Sequence, residues 1–188
     1  MVFVNDLAGV SGLPDWMYHV AADADAMTFV DVVFPAFLII VGMSIPLAIG
    51  RRFEKGEQLW DVLKHIAIRS IGLIVLGVFM VNAAEMNAEA NLIPKPLWNV
   101  LFYLSIILIW NRYPKAPPRN KKYLFMTLQL VGIVALIILW ILFRKGEQGQ
   151  LTGMTPSWWG ILGLIGWAYL LSSLVYLMVR NNLAAFIG

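Results

Sequence analysis

MTFVDVVFPAFLIIVGMSIPLAIG, residues 27–50, decides the fold. An apolar run of this length, wound as an α-helix at about 1.5 Å per residue, is long enough to cross a hydrocarbon layer roughly 30 Å thick. Its start reads as a capping box, with Thr28 at the N-cap position and Asp31 three residues on. Pro35 and Pro46 fall inside it, which membrane helices tolerate. Asp31 has an ordinary structural explanation, because an acid in the first turn binds the cap and suits the positive end of the helix dipole. Just before it, however, HVAADADA at residues 19–26 adds His19, Asp23 and Asp25. Ionisable groups at a membrane boundary are costly and call for a functional explanation. The rest of the chain reads as the apolar frame around this corner.

The composition fits that frame. Of 188 residues, 60% are hydrophobic and 13% charged, and the mean hydropathy is +0.76, values a soluble domain with a polar surface hardly sustains. The expectation is an all-α, polytopic transmembrane helical bundle. A net charge of +3 and a pI near 9.3 raise the question of nucleic acid. The basic residues instead form short clusters between apolar runs, so lipid headgroups and topology explain them and no nucleic-acid partner is expected. The absence of cysteine excludes disulfides, thiolate metal ligands and an acyl-cysteine intermediate. His19 and His65 are expected on opposite sides of the membrane, so no metal site is expected.

About five full spans and a truncated first helix are expected. MVFVNDLAGV reads as the second half of a helix, and NNLAAFIG as the start of another. Residues 1–188 are therefore expected to be a partial transmembrane domain cut at both ends. RRFEKGEQLWDVLKHIAIR, with Leu59, Trp60, Leu63 and Ile66 at helical spacing between charges, reads as a helix lying in the interface. Spans follow over about residues 66–84, from Pro96 through LWNVLFYLSIILIW, over about 123–143, and from Thr155 as N-cap with Pro156 in the first turn to about Val179. Eleven of the fourteen basic residues then fall on one side, and only Lys95, Arg144 and Lys145 on the other. The positive-inside rule makes the loops near 51–65 and 111–122 cytoplasmic and the His19 loop extracytoplasmic.

An imidazole takes and returns a proton near neutral pH, and a neighbouring carboxylate fixes its tautomer. That makes His19 a candidate base and Asp31 the group that orients it, against the plain alternative of an interfacial histidine without a task. Asn5 sits in the half helix with no local turn to explain it, and a buried amide there needs a partner. Asn82, Asn99, Gln129, Ser172 and Ser173 are expected to be polar glue between helices. Trp60, Trp98, Trp110, Trp140, Trp158 and Trp159 read as an aromatic belt near span ends. Two further function classes stay open: a transporter or channel subunit using Asp31 and His19 as a proton or cation relay, and a membrane scaffold without catalytic activity.

The order MVFVND, a loop with aromatics and His19, then MTFVDVVFPAFLIIVGMSIPLAI resembles the opening of the heparan-α-glucosaminide N-acetyltransferase family, its bacterial members included. RSIGLIVLGVF and LWNVLFYLSIILIWNRYP also look like the bacterial branch. The segment after His19, AADADA, departs from the family's Trp-Asn-Gly type. The resemblance implies a multi-pass acetyltransferase, in a bacterial inner (plasma) membrane, that delivers the acetyl group of cytosolic acetyl-CoA to an amine on an extracytoplasmic sugar. It implies His19 as the active-site histidine, Asn5 as the polar residue beside it and Asp31 as the acid opening the second helix. The polyanionic donor makes Arg51, Arg52, Lys55, Arg112 and Lys115 candidate cofactor contacts. Membrane lipid, a glycan or amino-sugar acceptor and a second copy of the chain are the candidate partners.

Overall fold

The computed structural model describes residues 10–20, 24–111, 113–114, 119–146 and 150–180. Among them the elements are helical: a 3-10 turn at Asp15–Met17, then α1 (Phe29–Glu54), α2 (Leu59–Ala84), α3 (Lys95–Trp110), α4 (Arg119–Leu142) and α5 (Gly160–Val179). Four of these, α1, α2, α4 and α5, are long and apolar enough to cross a membrane. The fifth expected span, α3, has 16 residues and rises only about 24 Å. The expected half helix before residue 10 lies outside the described residues.

Two compact units divide the chain, Met1–Ile74 with Leu162–Gly188, and Val75–Ile161. In the first, Ile45 and Ile49 of α1, Val62 and Ile66 of α2, and Tyr169 of α5 make the buried core. Helices α1 and α2 each contribute two residues four apart, the spacing that puts two side chains on one face. Lipid gives no hydrophobic drive between helices, so close packing has to hold them.

The second unit is built on rings. Phe79, Trp98 and Phe102 stack with centroids 5.2–5.8 Å apart, and Phe143 tilts against Trp98 at 5.7 Å. Such pairs contribute about 0.5–1.5 kcal/mol each beyond the area they cover. Trp98 is therefore a core residue, 1% exposed, with its indole N–H 3.4 Å from the Leu139 carbonyl, and not part of an interfacial belt. Trp60, Trp110, Trp140 and Trp158 are exposed. Helices α3 and α4 close over Gly132, where a Cβ would come within 2.9 Å of the Ser105 carbonyl and of Ile109.

Two expectations about helix starts are corrected. Residues 59–69 are not a separate interfacial helix, because no glycine or proline occurs between Leu59 and Ile71 and α2 runs unbroken from Leu59 to Ala84. Thr155 is not an N-cap. Ser157, Trp159 and Gly160 all have φ between 52° and 68°, a left-handed backbone that cannot continue a right-handed helix, so α5 begins only at Gly160. The 155 segment is held by Asn82 instead, which is fully buried. Its amide donates to the Thr155 carbonyl at 2.7 Å and its Oδ1 accepts the Thr155 N–H at 3.2 Å. Asn82 thus ties α2 to the segment before α5 rather than to another helix, whereas Gln129 of α4 reaches the Ile109 carbonyl of α3 at 3.4 Å. Ser173 is buried with no hydrogen-bond partner for its hydroxyl among the described residues.

The three basic residues on the minority side of the expected topology all have local tasks. Lys145 pairs with Glu85, Lys95 donates to the Ala84 carbonyl at 3.0 Å, and Arg144 donates to the carbonyls of Ile141 and Phe143 at 2.7 Å. Lys95 and Arg144 thereby satisfy carbonyls that helix ends leave orphaned.

Candidate functional site

The loop before α1 is folded onto the helix start by its own side chains. The Tyr18 hydroxyl donates to the Val10 carbonyl at 2.8 Å and accepts the Leu13 N–H at 3.0 Å. Trp16 meets Phe29 edge to face at 6.3 Å. The Thr28 hydroxyl lies 2.7 Å from the Tyr18 carbonyl and 2.9 Å from Asp31 Oδ2, and with one proton it donates to one of them at a time. These contacts leave residue 19 directly beside the first turn of α1.

There the expected capping box forms, and the Asp31 carboxylate accepts the Thr28 N–H at 3.0 Å. The same oxygen sits 3.5 Å from the Val20 N–H. The other carboxylate oxygen, Oδ1, stands 2.7 Å from His19 Nδ1. An ionised carboxylate only accepts, and every partner here can donate. Nδ1 must then carry the proton, which leaves the lone pair of a neutral imidazole on Nε2. The His19 side chain is 64% exposed, against 25% for Asp31, so the ring is held at its root and open at its tip. A base oriented by a carboxylate that is itself locked in a cap is an arrangement suited to general-base or nucleophilic chemistry. As an ion pair, a contact this exposed contributes little to stability.

The other candidate group gathers at the far end of α1, in a cavity of about 360 Å³. Arg51, Arg52 and Lys55 line it, as do two residues that the sequence reading passed over, His65 and Arg69 on α2. Arg52 donates to Glu57 at 2.7 Å, and the Arg69 guanidinium lies 4.9 Å from the centre of the Tyr169 ring. Along α1, Arg51 is about 30 Å of helix rise from Asp31. The cavity's limit on α1 is Val41, about 15 Å of rise short of Asp31. The structure therefore brings His19 to Asp31, and Arg51, Arg52 and Lys55 to one another, but keeps the two groups apart. Asn5, Arg112 and Lys115 lie outside the described residues. Among the described residues there is no cluster of three or more acids or histidines that could hold a metal ion.

The chain is similar to known proteins over part of its length. Human heparan-alpha-glucosaminide N-acetyltransferase is 37% identical over 82 residues, which cover 44% of this chain and 12% of that protein. The Mus musculus enzyme of the same name is 35% identical over 82 residues, with the same coverage. The chain thus matches about 12% of the length of these curated relatives. No solved structure matches it. A family profile described as a domain of unknown function, DUF5009, matches residues 1–188, the whole length, and the chain belongs to that family.

Proposed function

We propose that this chain is part of a membrane acetyltransferase that moves an acetyl group from acetyl-CoA to an amine on a glycan or similar acceptor. The observation that carries the reading is the 2.7 Å contact between His19 Nδ1 and an Asp31 carboxylate fixed by Thr28. The partial identity to two N-acetyltransferases supports it. In this reading His19 Nε2 takes a proton from the acceptor amine as the amine nitrogen attacks the thioester carbonyl. A C–N bond forms, the C–S bond breaks, and the imidazolium returns its proton to the leaving thiolate. Attack by Nε2 itself, giving an acetyl-imidazole that the amine then resolves, uses the same geometry.

The donor's phosphates would be drawn by Arg51, Arg52 and Lys55. By the positive-inside rule that end of α1 faces the cytoplasm of a plasma membrane, and His19 the opposite side. The acceptor end and the charged end of the donor are then separated by about 30 Å along α1.

Transfer of labelled acetyl groups from acetyl-CoA to an amino-sugar acceptor, in membranes containing the protein, tests the reading. His19→Ala is expected to lower transfer by about 10²-fold or more at unchanged protein level and thermal stability. Transfer by His19→Ala at the wild-type rate would overturn the proposal. So would pH-driven cation uptake, sensitive to Asp31→Asn, in membranes that transfer no acetyl group.

A further inference from the structure

The bias of basic residues toward one side of a membrane accounts for charges in loops and at helix ends. Arg69 falls on the majority side as well, but it lies within α2 rather than in a loop or at the helix end. This residue stands about 15 Å of helix rise inside α2, a helix apolar and long enough to cross a membrane. The cavity it lines also takes in Lys55 and Glu57 from the connection between α1 and α2, so Arg69 stands with the charged ends of those helices. Arg69 has no carboxylate partner among the described residues, and lies instead over the Tyr169 ring, a contact that orients the guanidinium. One turn earlier on the same face, His65 borders the same cavity.

Opposite them, the last turn of α1 supplies Arg51 and Arg52, and Lys55 follows at once. Four permanent cations line the cavity against one carboxylate, Glu57, and that carboxylate is already engaged by Arg52. An excess of positive charge inside a concave wall of helices focuses the field on its contents. Ser44 and Tyr169 add hydroxyl groups to the lining. The volume, about 360 Å³, lies within the range of small-molecule sites.

From this we infer that the cavity between α1, α2 and α5 is a phosphate-binding site, in which Arg69 and Arg51 from opposite walls hold a phosphate monoester or diphosphate. His65 lies beside them as a further donor. Guanidinium groups match phosphate oxygens in a fork geometry that an ammonium lacks. The ligand's phosphate belongs either to a soluble molecule, such as the nucleotide end of an acyl carrier, or to an anionic lipid headgroup. The inference deepens the proposed function by giving the donor's phosphates a defined seat, and it rests on that reading only for the identity of the ligand.

The test is direct binding to the protein in phosphatidylcholine nanodiscs, by calorimetry, with pyrophosphate and with adenosine 3′,5′-bisphosphate as probes. Both are expected to bind the wild type. Arg69→Gln and Arg51→Gln are each expected to weaken binding about tenfold or more, the loss of charge-assisted hydrogen bonds to an anion. Lys145→Gln, which removes the same charge from a residue that pairs with Glu85 and does not line the cavity, should stay within about twofold. Arg51 is exposed at a helix end, so its variant remains informative if Arg69→Gln does not fold. Nanodiscs containing phosphatidylglycerol separate the sources. If they abolish pyrophosphate binding to the wild type, the phosphate is a headgroup's, and if binding persists it is a soluble ligand's. Wild-type protein that binds neither probe in phosphatidylcholine and shows no preference for phosphatidylglycerol would overturn the inference. Equal weakening by Lys145→Gln and Arg69→Gln would also overturn it. Loss of acetyl transfer in His19→Ala with pyrophosphate binding retained bears on the transfer chemistry alone.

Discussion

The two ends of α1 solve opposite problems with charged residues. At its N-terminal end each Asp31 oxygen has a donor, and the histidine it holds is the group left open to the surroundings. At its C-terminal end the cations outnumber their partners and the cavity, not a single contact, defines the place. The first arrangement fixes one atom, Nε2, within a narrow range of directions. The second fixes a net charge and a volume and leaves the occupant's pose to the occupant. Positioned lone pairs suit proton transfer, and surplus cations suit recognition of a polyanion. In the proposed function, one helix thus carries a chemical end and a binding end.

Variants that separate the two ends sharpen this contrast. The largest effect is expected from Asp31→Asn, whose amide can donate to Nδ1 and so move the imidazole proton to Nε2. Acetyl transfer should fall by about 10²–10⁴-fold while pyrophosphate binding is unchanged. A fall in both would join the two ends into one site and break the comparison. Arg51→Gln should act the other way, raising the KM for acetyl-CoA by about tenfold with little change in kcat, as expected when ground-state binding is lost. A fall in kcat alone would place Arg51 in the chemistry. Thr28→Ala should have the smallest effect. Loss of a cap costs about 0.5–2 kcal/mol, which thermal unfolding in detergent would register as a modest drop. Transfer should drop with it only as far as Asp31 loses its fixed orientation.

Much of the N-terminal end was legible because its interactions are local. Thr28 and Asp31 are one turn apart, and the cap they form follows from their types and spacing. The apolar length of α1, α4 and α5 reads off the sequence in the same way. What escaped was whatever several helices make together. Charges spaced along Leu59–Arg69 look like a surface helix when read alone, and only packing of Val62 and Ile66 against Ile45 and Ile49 shows that face to be buried. For the same reason His65 and Arg69 passed as ordinary basic residues until α1 and α5 closed a cavity around them. Trp98 sits near a helix end and so resembles a belt residue, but rings distant in sequence enclose it. Thr155-Pro156 carries a sound helix-start signal that Asn82 overrides by binding both backbone groups of Thr155.

The central claim is that Asp31 holds His19 with its free lone pair on Nε2, ready to accept a proton. Nitrogen NMR of protein labelled with ¹⁵N-histidine, with the His19 signal assigned by comparison with His65→Gln, measures that tautomer directly. The account predicts a protonated Nδ1 and an unprotonated Nε2 for the neutral ring in the wild type, and loss of that preference in Asp31→Asn. An Nε2-protonated ring in the wild type, or a tautomer indifferent to Asp31→Asn, would contradict it.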